Sequence, residues 1–290
     1  MTHFIRVFFI TPANLLKLLI TIIIVDVLFN FYSSMKINSL TLAMIFTVAF
    51  FSNLTYGATF KEYLEKGDES FRQLKNLDAL NYYEEAYKIS PDNFDVMFRL
   101  VRSYNDVGEE YYELKNRDKA EYYINKAVEF AVNFKNKFPD IAESYTYLSL
   151  SYGNIALFKG GKEKVKYANL VEQNAKKSIS INGNNFLPYL ILGIYYRELA
   201  SLNWIERTFA NTFFGTLPKG TYEDSEGYLK KALSFDPDMI VAVYHLSKTY
   251  KAMGRTNEEL MLLKQIQSMK VRNFRDIYAK EKANKRLSQI

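Results

Sequence analysis

The sequence predicts an all-α solenoid of stacked helical hairpins, and three observations predict it. Apolar residues recur in the order large, large, small, large at offsets of 3, 1 and 3, as in Tyr189, Leu192, Gly193 and Tyr196. That spacing lays a stripe with one gap along a helix face. Each stripe is followed by a second apolar segment with a small residue at its centre, and in most cases by a proline that ends it, as in Leu229, Ala232 and Pro237. No stretch alternates for long with a period of two, so almost no β structure is expected.

Taken in order, the chain begins with two apolar runs. Residues 1–34 contain the first, Leu15 to Tyr32, which is roughly long enough to cross a bilayer but is interrupted by Lys17 and Asp26. It reads either as a membrane helix or as sequence ahead of the true start. Residues 35–57 read as a secretory signal peptide. Met35-Lys36 is a short positive start, Leu40 to Phe51 an apolar core, and Thr55-Tyr56-Gly57 places small residues at −3 and −1 for cleavage after Gly57, with Ala58 as the alternative. The rest of the chain is thus expected to be exported, to a periplasm, or held at a membrane by its N-terminal segments.

Residues 58–270 carry five copies of the hairpin pattern. Repeat one has Tyr63, Gly67, Ala79, Tyr83, Ala86 and Pro91. Repeat two has Met97, Leu100, Tyr104, Ala120, Ile124, Ala127 and Pro139, its helices lengthened. Repeat three has Tyr145, Leu148, Ser149, Tyr152, Ala175 and Ser178, with Asn182 where proline often stands. Repeat four runs from Phe186 to Pro237 with an aromatic insert of about twenty residues between its halves. Repeat five has Val243, Leu246, Ser247, Tyr250, Gly254, Leu263 and Ile266. These spacings are those of a tetratricopeptide repeat, and five units exceed the minimum of about three for a stable stack. Residues 271–290, with Phe274, Ile277, Tyr278 and Leu287 among many Lys and Arg, read as a C-terminal capping helix with a solvated outer face. A basic membrane-binding tail is the other reading.

Composition narrows the chemistry. The absence of cysteine excludes disulfides, thiolate nucleophiles and cysteine-ligated metals, and two histidines cannot build a histidine-rich metal site. His245 is expected on a helix surface. The net charge of +6 is concentrated at the C-terminus, which argues against nucleic-acid binding along the repeat body. Gly160-Gly161-Lys162 is too short for a phosphate loop. Glu84-Glu85 and Glu109-Glu110 read as solvated helix faces with no nucleophile or histidine set beside them. No cofactor and no catalytic residue is expected.

Within repeat four, Leu192-Gly193, then Glu198 to Glu206, then Phe214-Gly215-Thr216-Leu217-Pro218 and Tyr228 to Ala232 resemble the regulator of microtubule dynamics family. There an aromatic insert ending in a similar turn divides a repeat at the same place. Lys162 to Lys166, leading into the helix through Val171 and Ala175, is also similar. The resemblance implies an all-α repeat domain without enzymatic activity. It implies microtubule association for eukaryotic members, and contact sites and phospholipid binding for one membrane-anchored branch. An export signal would separate the repeats from tubulin, so the fold carries over and that function does not.

A ligand is expected on the concave side, where the first helices of the repeats present template positions 2, 5, 9 and 12. The candidate residues are Phe98 and Arg102 in repeat two, Thr146 and Leu150 in repeat three, Leu190, Ile194 and Arg197 in repeat four, and Tyr244, Lys248 and Lys251 in repeat five. An apolar middle with a basic end suits an amphipathic helix of a protein partner, or a lipid with an anionic head. Alternatively the lengthened helices curl the solenoid shut and these residues are core. In the insert, Trp204, Phe213 and Phe214 present the same choice: exposed they mark a contact site, but a lone tryptophan is expected to plug the gap between extended helices. The leading expectation is a non-enzymatic exported scaffold that binds a protein or peptide in the cell envelope; a lipid-binding or lipid-transfer module is the alternative.

Overall fold

Helix signals dominate the local sequence, and the computed structural model, which describes residues 59–159, 161–214 and 216–290, contains no strand among them. The N-terminal apolar run and the signal peptide lie outside the described residues, as do the Phe214 side chain and Gly215. No helix among the described residues is long and apolar enough to cross a membrane.

Twelve helices are described, and they pair as the repeat spacing predicts. Helices α1 (59–72) and α2 (Asn76–Ile89) form repeat one, and α3 (Phe94–Glu113) and α4 (Arg117–Lys137) repeat two. Repeat three is α5 (Ala142–Lys159) and α6 (Gly161–Ile181). Repeat four is α7 (Phe186–Ala200) and α9 (Tyr222–Phe235), with α8 (Trp204–Phe214) formed by the insert. Repeat five is α10 (Ile240–Ala252) and α11 (Thr256–Ser268), and α12 (Phe274–Leu287) follows. The first helices α3, α5, α7 and α10 touch in succession and make one layer, and each packs against the second helix of its own repeat, α4, α6, α9 or α11.

Local chemistry sets the helix ends. Asn93, Asn116, Asn185 and Asn273 each accept a backbone N–H of the first turn that follows, and Thr221 and Asp224 form a reciprocal capping box. In repeats one, two and five the first helix stops at a left-handed residue, Leu74 and Lys115 at φ 61° and Gly254 at φ 73°. The next amide then bonds back to the carbonyl five residues earlier, as Arg255 does to Tyr250. Glycine takes that conformation without a Cβ penalty; Leu74 and Lys115 adopt it under strain.

Between the layers, the small residues of the pattern sit where helices approach most closely. Ala79, Ala86, Ala120, Ala127, Ala175 and Ala232 are fully buried. At Gly193 a Cβ would lie 2.5 Å from Leu229 Cγ, so repeat four packs α7 on α9 through a glycine. Successive repeats are joined by a recurring bond: Tyr104 donates to Glu84, Tyr196 to Glu172 and Tyr250 to Glu226, at 2.5, 2.6 and 3.0 Å. In each the tyrosine of one repeat's first helix reaches back to the preceding repeat's second helix. Tyr152 breaks the series and stacks on Tyr167 at 5.3 Å.

Three expectations are corrected here. The glutamates read as solvated faces are bonded: Glu84 to Tyr104, Glu110 to Asn76 at 2.8 Å, and Glu109 to Asn154 and Arg275. His245 is half-buried rather than a surface residue, its Nδ1 accepting from Arg197 at 2.8 Å. The outer face of α12 is not simply solvated, because Arg275 and Lys282 reach carboxylates of α3.

Candidate functional site

The concave candidates divide into those taken up by packing and those that remain accessible. Thr146 is fully buried, bonded to Ser178 Oγ at 2.6 Å and to the Ala142 carbonyl. Leu190 belongs to the core shared by repeats four and five. Arg197 is buried and donates to His245 and, at 3.2 Å, to Glu198. These three are structural and unavailable to a ligand. Phe98 packs edge-on against Tyr147 with ring centroids 5.4 Å apart, and the Arg102 guanidinium lies 3.8 Å over the Phe71 ring, so both are largely committed to their neighbours. Packing between neighbouring repeats has made core of much of the groove.

Repeat five keeps its cations accessible. Lys248 and Lys251 are exposed on α10, and Tyr244 is half-buried one turn before Lys248. Neighbouring protein partly desolvates the accessible Lys248 ammonium, and Arg197, Lys282 and Lys251 repel it, so its pKa is pushed down to about 8. Burial, with the same cationic surroundings, lowers the His245 pKa well below its ordinary value; the imidazole is neutral at pH 7 and its proton sits on Nε2.

Leu150 and Ile194 face a different feature, a pocket of about 430 Å³ between α5, α6, α7 and α8. Its walls are apolar, from Leu150, Val165, Ala168, Ile191, Ile194, Leu199, Phe209, Ala210 and Leu217, with Asn154, Lys164, Glu198 and Glu206 the polar groups among them. Lys164 donates to Glu198 at 2.9 Å. Burial pushes the Glu198 carboxyl upward, but Lys164 and Arg197 outweigh it and hold it below the usual carboxylate value.

The insert supplies one wall of this pocket, and its attachment explains which face it turns outward. Asn203 and Glu206 cap α8 reciprocally, each side chain accepting the other's backbone N–H at 2.9 Å. Arg207 reaches back to the carbonyls of Leu199 and Pro218 at 2.8 and 3.1 Å, Asn211 accepts the Leu217 amide, and Ala210 is buried. The polar residues and the alanine therefore anchor the helix. Trp204, Ile205, Phe209 and Phe213 face outward at 75%, 60%, 46% and 65% exposure, with Phe209 and Phe213 in ring contact at 4.9 Å. Trp204 is not the plug expected of it. Trp204→Ala should leave the stability of the domain unchanged to within about 0.5 kcal/mol, as for a surface site, which a melting curve would check.

The pocket is not legible in the sequence because its lining comes from both helices of repeat three, the first helix of repeat four and the insert. Ala168 and Val165 are ordinary core positions in isolation. The signal available was the length of the insert: a segment of that size needs an anchoring face, and Arg207 with Ala210 supplies one. No group of three or more potential metal ligands occurs among the described residues.

Comparison with known proteins bears on the same elements. A solved tetratricopeptide repeat protein of Thermus thermophilus superimposes with a TM-score of 0.55, covering 79% of this chain and 99% of its own; at 20% identity the likeness is one of fold. Regulator of microtubule dynamics protein 1 of Bos taurus is 24% identical over 199 residues, which is 68% of this chain and 59% of that protein. Regulator of microtubule dynamics protein 2 of Homo sapiens is 24% identical over 188 residues, 64% of this chain and 44% of that protein. The chain thus spans about half the length of the curated relatives it matches. Residues 62–290 match the family described as regulator of microtubule dynamics protein 1-3, from α1 through α12 and including the α8 insert. With that match covering most of its length, the chain belongs to the regulator of microtubule dynamics protein 1-3 family.

Proposed function

We propose that this chain is a non-enzymatic helical scaffold that binds a protein partner, and that the docking point is the pocket walled by α8 rather than the open concave groove. The observation that carries the reading is the outward apolar face of α8 beside a pocket of about 430 Å³. A rigid aromatic rim next to an apolar concavity is the arrangement that anchors a large side chain of a partner segment. Asn154, Lys164 and Glu198 set polar groups at the same place, which would orient a backbone passing the mouth. Export, read from the segment 35–57, puts that partner in the cell envelope and belongs to the same proposal.

The test uses a photoreactive residue at Phe209 in the full chain, crosslinked in cells. Capture of a discrete partner, lost when Ile194→Trp fills the pocket while helicity and melting are unchanged, is the expected result. Capture that survives Ile194→Trp would reject the pocket as the docking point.

A lipid-binding module is the second reading, favoured by the apolar lining of the pocket, whose volume is of the order of a single acyl chain. Native mass spectrometry of the purified chain separates the two. A bound mass of several hundred daltons that fragments as phospholipid, and that Ile194→Trp removes, would put this reading first.

A further inference from the structure

Helix α12 is held in two chemically different ways. On repeat five its seat is apolar: Ala279 and Ala283 are buried in the core of Val243, Leu246, Leu263 and Ile266. Arg286 adds a bidentate bond to Glu259 at 2.8 and 3.2 Å on α11. On the other side it meets α3, in repeat two and more than 160 residues away in sequence, through ionised side chains. Arg275 donates to both oxygens of Glu109 at 2.5 and 2.8 Å and lies 2.8 Å from Asp106. Lys282 lies 2.5 Å from Glu113.

The two faces are in register. Asp106, Glu109 and Glu113 stand at i, i+3 and i+7 on one side of α3, and Arg275 and Lys282 are seven residues apart on α12, so both rows span two turns. The receiving row is held in place from behind. Asn154 of α5 donates to Glu109 at 2.7 Å and to Asn105 at 2.9 Å, and Asn105 donates to Ser151 at 2.9 Å. A polar network running from repeat three to repeat two therefore aims Glu109 at the arginine that crosses from α12.

We propose that α12 is a clasp: fixed to repeat five by apolar contacts, it closes the superhelix onto the acidic row of repeat two by charge alone, and release of those ion pairs opens the concave face. A stacked repeat array is a spring, in which small rotations at each interface add up across the array. A link made of a few long charged side chains covers far less surface than a packed apolar face; salt screens its half-exposed end, Lys282 with Glu113, and acts much less on Arg275 against the buried Asp106. The clasp does not rest on the function proposed for the α8 pocket, although Asn154 lines that pocket and also donates to Glu109.

The test exploits the absence of native cysteine. Spin labels at Leu114→Cys and Lys285→Cys in the full chain report the α3–α12 distance by pulsed electron resonance. A single narrow distribution is expected at low salt. Arg275→Glu or Lys282→Glu should lengthen the mean by more than about 2 Å, the scale of a genuine rearrangement, and broaden it; salt near 1 M, where the screening length falls to about 3 Å, should loosen the half-exposed Lys282–Glu113 end and broaden the distribution. Glu113→Lys combined with Lys282→Glu should restore the narrow distribution, which a merely disruptive substitution would not allow. If Arg275→Glu does not fold, the Glu113 and Lys282 variants and the salt series carry the test. An unchanged distribution in the folded variants and at high salt would overturn the proposal, leaving α12 a rigid cap of repeat five.

Discussion

Phe134→Ala is expected to destabilise the domain by about 3–5 kcal/mol, the range for removing a fully buried aromatic ring. Phe134 is completely buried on α4 and touches Phe94 and Phe138 with ring centroids 5.5 and 5.4 Å apart. The cluster continues through Met97, Val101, Ala131 and Leu148, so it binds repeat two to repeat three. Its loss leaves a cavity that helices held on both sides cannot collapse into. Because each repeat is stabilised by its neighbours, the damage should be local. Hydrogen exchange is expected to accelerate across α3, α4 and α5 first, with α10 to α12 protected; uniform acceleration would show that the array unfolds as one unit.

Leu229→Ala is expected to cost about 2–5 kcal/mol, as for other fully buried leucines, and its combination with Gly193→Ala should cost less than the sum of the two. A Cβ at residue 193 would lie 2.5 and 2.7 Å from Leu229 Cγ and Cδ2, so Gly193→Ala alone overpacks the α7–α9 contact, at about 1–3 kcal/mol, offset in part by the better helix propensity of alanine. Leu229→Ala removes the clashing atoms and opens the space the new methyl needs. The Leu229 amide, 3.2 Å from the same Cβ, limits the rescue. A double-mutant cycle by chemical denaturation measures the coupling; simple additivity would mean that the helices shift rather than interlock.

Much of the fold was legible because its determinants are local. The 3.6-residue period places Tyr189, Leu192, Gly193 and Tyr196 on one face whatever the rest of the chain does, and asparagines such as Asn93 and Asn185 start helices by bonding the turn that follows them. The candidate site was legible only in part. Leu150 and Ile194 do line a pocket, but one shared with the insert and not the groove proposed for them. Thr146, Leu190 and Arg197 occupy inward template positions, yet they are buried by neighbouring helices: Ser178 of α6 bonds Thr146, and repeat five covers Leu190 and Arg197. Trp204 was misread for a related reason: hydrophobicity predicts burial only where a partner surface exists, and Arg207 and Ala210 had already taken the side of α8 that faces the body.

By itself the sequence determined the helices, their pairing into five repeats, the place of the insert and the family. Those follow from contacts within a few residues or between adjacent segments. Tertiary structure alone decided which face of α8 meets water, where the pocket lies, and that Arg275 reaches Asp106 and Glu109. That last contact depends on the rotation accumulated over three repeat interfaces and the seat of α12, a sum of small angles that no single repeat encodes and that appears only when the whole array is assembled.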